Sequence, residues 1–136
     1  MNYNQDSSSI LQDRYLIALL EDKKIAFPAR LVRNILIIER SQLLVLPFYD
    51  PACLGVVYDR DEIIPLVSTK KILGITENKL LQSTLTAIRL NSSAEHLAGV
   101  ALTVDRMEKS MAGKELSREH KFQLTDIPSK IWKPQR

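Results

Sequence analysis

The chain has 136 residues and a formal net charge of +3, and 45% of its residues are hydrophobic. This length and this hydrophobic content predict one globular unit with a genuine core. A single cysteine, Cys53, excludes an intramolecular disulfide, and two scattered histidines, His96 and His120, are too few to indicate a metal site. An aromatic content of 6% is too low for a surface that stacks on single-stranded nucleic acid.

The polar N-terminal residues 1–13 are predicted to be a flexible leader. They lack the basic start and apolar segment of a secretory signal. No stretch of the chain approaches the roughly 18 apolar residues that are needed to cross a bilayer. We therefore expect a cytoplasmic protein that does not insert into a membrane.

The first strong strand signal begins at Arg14. Two apolar runs on either side of the charged residues 21–24 predict a β-hairpin with a four-residue connection. A single helical turn is expected over residues 29–33, because Pro28 precedes it, and a β-branched strand follows over residues 34–39. The opening of the chain therefore predicts β-structure.

A second pair of strands is predicted over residues 54–58 and 63–67, joined by the charged turn 59–62. Pro65 has no N–H to donate, so its strand should lie at a sheet edge or turn this position away from its neighbour. Residues 68–74 (STKKILG) are typical of a short helix, with a hydroxyl to cap its start and a glycine to end it.

The second half repeats the pattern of the first. A strand is predicted over residues 84–90, a turn over 91–95 and a long apolar strand over 96–104. The apolar residues that follow can add one or two strands before a basic tail at 128–136. Residues 106–136 contain eight Lys or Arg against four Asp or Glu, so the positive excess lies at this end.

Several of these residues stand in the order and spacing of one family. The first motif resembles the pattern G-V-x-N-L-R-G-x-x-x-P-V-x-D-L, and a later segment resembles G-[LIV]-x-V-D-x-V. The matching residues are Gly55, Arg60, Pro65, Val104 and Asp105. Over residues 14–110 the chain thus resembles the CheW-like domain of bacterial chemotaxis coupling proteins.

This resemblance implies an all-β fold of two small SH3-like barrels with a short helix between them, the first over about 14–75 and the second over about 84–127. It also implies a non-enzymatic scaffold without a cofactor. Such an adaptor links the tip of a methyl-accepting chemoreceptor to the regulatory domain of a CheA-type histidine kinase, in two-component signalling for chemotaxis, phototaxis or pilus motility.

The resemblance also implies a set of partner-binding residues. They are Arg60, Tyr58, Asp59, Asp61, Val32, Asn34, Gly55 and Leu85. Arg60 is the main candidate, because a guanidinium at the centre of an interface often anchors it. The alternatives are that Arg60 pairs with its acidic neighbours, for about 0–1 kcal/mol, that Val32 and Leu85 are ordinary core residues, and that Gly55 serves only the backbone.

Two departures from the family pattern stand out. Asp61 replaces a turn glycine, although aspartate tolerates a left-handed conformation better than most residues. The usual final apolar strand and C-terminal helix are not recognisable, which predicts an open sheet edge. Either the segment 121–127 replaces that strand, or the edge is covered by a partner, which includes a second copy in a homodimer.

Three other functions stand as alternatives. An enzyme or metal protein is disfavoured, because the acidic cluster of Asp59, Asp61 and Glu62 lacks the further donors and the glycine of a calcium loop. A small basic barrel that binds nucleic acid is the main alternative from another class. It would use a basic face of Arg106, Lys109, Lys114, Arg118 and Lys121. A divergent family member that binds one partner, as an inhibitor or regulator, is the third.

Overall fold

The computed structural model describes residues 13–47, 49–77 and 82–132, so most of the predicted leader and the end of the predicted tail lie outside the described residues. Its strands are β1 Arg14–Leu20, β2 Lys23–Pro28, β3 Val32–Glu39, β4 Cys53–Asp59, β5 Glu62–Ser68, β6 Thr84–Leu90, β7 Ala101–Val104, β8 Arg106–Ala112 and β9 His120–Lys121. The helix α1 has four residues, Thr69–Ile72, and the other helical segments are short 3-10 turns. The all-β prediction is confirmed.

The strands form two sheets. One has the order β8-β1-β2-β9 and the other the order β3-β6-β7-β5-β4. Each sheet combines strands from both halves of the chain. In the first sheet β8 pairs with β1, and in the second sheet β7 pairs with β6 and β5. The two halves are therefore interwoven through the sheets.

The short helix α1 forms as its sequence predicts. The Ser68 side chain accepts a hydrogen bond from the Lys71 amide at 3.2 Å, which caps the start. Gly74 follows the helix with φ of 71°, the left-handed conformation that commonly ends a helix. No helix among the described residues is both long and apolar enough to cross a bilayer.

The first hairpin has a shorter connection than predicted. Leu20 lies opposite Lys23, so only two residues form the turn, and Glu21 adopts φ of 60°. The prediction of a four-residue connection is wrong because two lysines continue β2 with exposed side chains. A charged side chain at the end of a strand stays in water while its backbone joins the sheet.

The strand predicted over 96–104 is also shorter than expected. The segment Ser92–Leu97 is a 3-10 helix, and β7 begins only at Ala101. The Asn91 side chain accepts a hydrogen bond from the Ser93 amide at 2.9 Å, and Gly99 has φ of 83°. These local features favour turns. The apolar residues of the segment can be buried equally well in a turn and in a strand.

The C-terminal segment closes one sheet edge. The strand β9 pairs in parallel with β2, and the Phe122 amide donates to the Ala26 carbonyl at 2.9 Å. Phe122 and Ile127 are buried, and the Phe122 ring packs 5.1 Å from that of Phe27. Of the two alternatives for this edge, the structure therefore has the segment 121–127 in place beside β2.

Two apolar cores result from this arrangement. The larger core lies between the sheets, where β1 and β2 face β6 and β7, and its largest members include Phe27, Leu20, Ile88, Leu90 and Leu102. The smaller core lies within the curve of the second sheet and consists of Ile38, Val57, Ile64, Leu66, Ala87 and Ala101. Cys53 is half-buried against the larger core, and burial raises the pKa of its thiol.

A nearly buried ion-pair cluster joins the two sheets. The ammonium of Lys70, on α1, lies 2.9 Å from the Glu21 carboxylate and 2.7 Å from that of Asp105, and Glu77 also contacts it. Burial disfavours the charge, but the hydrogen bonds to Asp105, Glu77 and Glu21 outweigh it and raise the pKa of Lys70. Because Glu21 lies in the β1–β2 turn and Asp105 follows β7, the cluster fixes one sheet against the other.

Candidate partner-binding site

The predicted recognition loop is the tight turn of the β4–β5 hairpin. Asp59 lies opposite Glu62, so Arg60 and Asp61 alone form the turn, with φ of 48° and 66°. Asp61 therefore adopts the left-handed conformation that the sequence predicted for it. The same conformation at Arg60 was not predicted, and it follows from the two-residue turn, which favours a positive φ at both positions.

Arg60 is exposed at the tip of this turn. Across the described residues, no hydrogen bond or ion pair involves its side chain, and two of its three acidic neighbours have other contacts. Asp61 accepts a hydrogen bond from the Tyr58 hydroxyl at 3.1 Å, and Glu62 faces two other arginines. The alternative in which Arg60 only neutralises its acidic neighbours does not match this geometry.

Glu62 joins the hairpin to the start of β3 and the end of β6. Its carboxylate lies 2.7 Å from the guanidinium of Arg89 and 3.3 Å from that of Arg33. Hydrogen bonds from Arg89 and then from Arg33 lower the pKa of Glu62. Arg89 is buried, and it also donates to the Gly99 carbonyl at 3.2 Å, so it holds this end of the smaller core closed.

Sequence reasoning did not single out Arg33 or Arg89. A signal for Arg89 was present, because it is the only charged residue in the strand TLTAIRL. A cation within such a run is nearly always paired when it is buried. Nothing local predicts that its partner is Glu62, which lies 27 residues earlier.

An apolar surface adjoins Arg60 on the outer face of the hairpin. Tyr58 and Ile63 lie directly opposite each other, and each is 66% exposed. Farther along the same face, Leu44 pairs with Val56 and is 62% exposed. We call Tyr58, Arg60 and Ile63 the tip surface. It combines a guanidinium with two large apolar side chains.

Pro65 lies in an interior strand of the sheet, since β5 pairs with β4 on one side and β7 on the other. The pairing with β7 begins only at Leu66, and Pro65 lies opposite Val56. At the proline, β5 thus has a strand neighbour on one side only. The prediction offered two options for Pro65, an edge strand or a position turned away from the neighbouring strand. The structure agrees with the second option.

Gly55 lies at the opposite end of β4 from Arg60. It is buried with φ of 141°, and a Cβ atom built there would lie 2.2 Å from the Leu44 carbonyl oxygen. The amides of Leu44 and Val56 each donate to the other's carbonyl, at 2.8 and 2.9 Å, so the two backbones cross at the glycine. The close approach of the two backbones therefore explains why a glycine is needed at position 55.

The remaining predicted residues fall at both ends of the second sheet. Val32 is half-buried against the larger core, and Asn34 is exposed opposite Arg89. Leu85 is half-buried against the smaller core, opposite Ile38 at the far end of β6, and it lines a groove of about 470 Å³. The structure thus gathers Tyr58, Asp59, Arg60 and Asp61 at the hairpin tip.

Two clusters in the described part of the chain bear on the metal and nucleic-acid alternatives. The carboxylates of Glu21, Glu77 and Asp105 lie within 4.8 Å of one another, but the Lys70 ammonium already contacts all three. The basic residues proposed for nucleic acid lie on β8, on β9 and between them, with acidic residues interspersed. These acids are Glu108, Glu115 and Glu119.

Comparison with known proteins agrees with this fold. No curated protein sequence matches the chain. Among solved structures, the chain is similar to the scaffolding protein TtCheW from Thermoanaerobacter tengcongensis, with a TM-score of 0.62 and 16% identity. The match covers 74% of this chain and 65% of that one. A family model, the CheW-like domain, matches residues 14–129, and the chain therefore belongs to the CheW-like domain family.

Proposed function

We propose that this protein is a cytoplasmic, non-enzymatic scaffold in chemotaxis-type signalling. It links the tip of a methyl-accepting chemoreceptor to the regulatory domain of a CheA-type histidine kinase. Membership of the CheW-like domain family supports the scaffold role. The observation that carries the proposal is Arg60, an exposed guanidinium without a hydrogen bond or ion pair among the described residues, at a two-residue hairpin turn beside exposed apolar side chains.

The tip surface has the composition of an interface centre. Tyrosine and arginine are enriched among the residues that contribute most to protein binding, whereas lysine and glutamate are depleted there. Tyr58 and Ile63 supply apolar area next to Arg60, and the two-residue turn fixes the backbone. A partner therefore meets a surface that loses little conformational freedom on binding.

The charges around Arg60 define the partner's chemistry. Arg60 favours a carboxylate or a set of carbonyl oxygens opposite the tip. Asp59 and Asp61 flank it and repel a broadly acidic surface. The partner's hydrogen-bond acceptor must therefore be a small group that is surrounded by apolar or basic side chains. Because the family pattern has no acid at these two positions, this chain selects a modified partner.

The decisive experiment measures binding to each partner separately. Isothermal titration with the kinase regulatory domain and with a receptor-tip fragment from the same organism should detect both complexes. Arg60→Ala should weaken at least one of them by about 30-fold, the effect of an interface hot spot of about 2 kcal/mol. Arg118→Ala, which also truncates an exposed arginine, is the matched control and should leave both affinities unchanged.

The outcomes separate the remaining alternatives. Binding of one partner alone would replace the coupling role by that of a single-partner regulator or inhibitor. Binding of neither partner would end the proposal for this chain. Equal weakening by Arg60→Ala and Arg118→Ala would show that general positive charge, and not the tip surface, holds the complex.

A further inference from the structure

The four sheet edges differ in how they are protected. An exposed edge strand pairs readily with another chain unless charges, shortness or a covering segment prevent it. Three of the seven residues of β8 are charged, β9 has two residues, and the edge of β4 is bridged by Leu44 at Val56. Within the described residues, β3 has none of these protections near its centre.

The edge of β3 is long and apolar. It has eight residues, and β6 is its one neighbour among the described strands. Ile37 is 70% exposed and Ile35 38% exposed on the same face, and no charge or proline lies between Asn34 and Ile38. The register with β6 shifts between Val32 and Asn34, and the stretch beyond it is regular. An apolar edge of this kind is unusual for an isolated sheet.

The backbone groups at this edge can be assigned from the pairing with β6. The Arg40 amide donates to the Ser83 carbonyl at 2.8 Å, and the register is regular from Glu39 opposite Thr84 to Ile35 opposite Ile88. In an antiparallel ladder only every second residue bonds to a given neighbour. The even-numbered residues therefore bond to β6, and Ile35, Ile37 and Glu39 direct their N–H and C=O groups to the free edge.

We propose that β3 is a homodimerisation strand, which pairs antiparallel with β3 of a second copy about a two-fold axis at Leu36. This register places Ile35 opposite Ile37 of the other copy, twice, and brings Arg33, which lies at the register shift and also contacts Glu62, toward Glu39, twice. Free-edge residues then face free-edge residues, so their N–H and C=O groups can bond across the interface. The strand is thus complementary to itself in backbone, apolar area and charge.

Other symmetric registers fit less well. A shift of the axis to Ile37 sets Glu39 opposite Ile35 and places Arg33 opposite a residue outside the strand. A shift to Ile35 leaves Glu39 outside the pairing. An axis at an intermediate point would oppose free-edge groups to groups already bonded to β6. Of these axes, the one at Leu36 opposes the two isoleucines to each other and sets Arg33 toward Glu39, which favours a second copy over an unrelated strand as the occupant.

The first test is the concentration dependence of the mass. Sedimentation velocity of the full chain should show a monomer–dimer equilibrium, and Ile37→Lys should raise its dissociation constant at least tenfold. Ile63→Lys makes the same change at a 66% exposed isoleucine outside β3 and should leave the equilibrium unchanged. A monomeric wild-type protein, or a dimer that tolerates Ile37→Lys, would overturn the proposal.

The second test reports the register, and it does not depend on a lysine in the strand. In a Cys53→Ala background, Ile35→Cys and Ile37→Cys should cross-link rapidly on oxidation when mixed, since opposite residues of a hydrogen-bonded pair lie about 5.5 Å apart at Cα. Each variant alone should cross-link slowly. Equal rates in all three samples, or no disulfide in the mixture, would contradict the register.

This inference is independent of the proposed function. The strand β3 and the hairpin strand β4 lie at opposite edges of the second sheet. Arg60→Ala should leave the dimer unchanged, and Ile37→Lys should leave the tip surface in place. Loss of both activities from either single substitution would count against separate surfaces.

Discussion

At the scale of single residues, Gly55 and Arg60 both have a positive φ in one hairpin, but for different reasons. Gly55 is constrained from outside, because the Leu44 carbonyl occupies the space of a side chain. Arg60 is constrained by the length of its own turn. A residue required by such backbone geometry can resemble a binding residue in a sequence motif, and Gly55 is best explained in this way.

We expect Gly55→Ala to lower the free energy of unfolding by about 2–4 kcal/mol, because a Cβ atom adds both backbone strain and a clash with the Leu44 carbonyl. Urea denaturation would measure the loss. Gly74→Ala is the control, since Gly74 also has a positive φ but has open space around it. It should cost about 1 kcal/mol. Equal losses at the two glycines would show that the clash is unimportant.

At the scale of elements, the β4–β5 hairpin is held by charge at its tip end. Glu62 on β5 contacts Arg33 on β3 and Arg89 on β6, so one carboxylate joins three strands. Because Glu62 contacts Arg33 and Arg89, it does not pair with Arg60, whose guanidinium stays exposed at the tip. A contact that stabilises the hairpin thus also shapes the proposed binding surface.

The stability contributed by Glu62 should depend on pH. Its pKa in the folded protein is lowered from 4.5, so the charged form favours folding, and the contribution is present above about pH 4.5 and is lost as the pH falls through the lowered pKa. The difference in unfolding free energy between wild type and Glu62→Gln should therefore shrink between about pH 6 and about pH 3. Urea denaturation across this range measures it.

Asp59→Asn is the control for this measurement. Asp59 is exposed on the same hairpin, and no hydrogen bond or ion pair of its side chain is seen among the described residues. Asp59→Asn should have little effect on the free energy of unfolding, because no such contact is lost. A Glu62→Gln difference that stays constant over the whole range would refute the role of the arginine contacts.

At the scale of the whole molecule, the Lys70 cluster and the chain crossing from β7 to β8 hold the two sheets together. Lys70→Met removes the positive charge from between the nearly buried carboxylates of Glu21 and Asp105. We expect a loss of about 3–5 kcal/mol in the free energy of unfolding, measured by urea denaturation. Glu77→Gln is the control, because the Glu77 side chain is half exposed, and it should cost below about 1 kcal/mol. A small loss for Lys70→Met would refute the cluster's role.

The elements predicted correctly were those with local causes. The alternation of β4 and β5, the cap at Ser68 and the stop at Gly74 all depend on neighbours within a few residues. The prediction over 96–104 failed because an apolar run of that length is buried equally well by turns, and its periodicity does not distinguish them. The short strand β9 has no pattern of its own and exists only through β2.

By itself, the sequence determined the all-β class, the hairpin that presents Arg60, and the family pattern of Gly55, Arg60 and Pro65. Turn chemistry and side-chain alternation act over short separations, so they are legible in one chain. Only the tertiary structure decided that Arg33 and Arg89 engage Glu62 and that β3 forms an edge. Those facts depend on the order of strands in the sheet, which is set by the burial of the whole chain and not by any local segment.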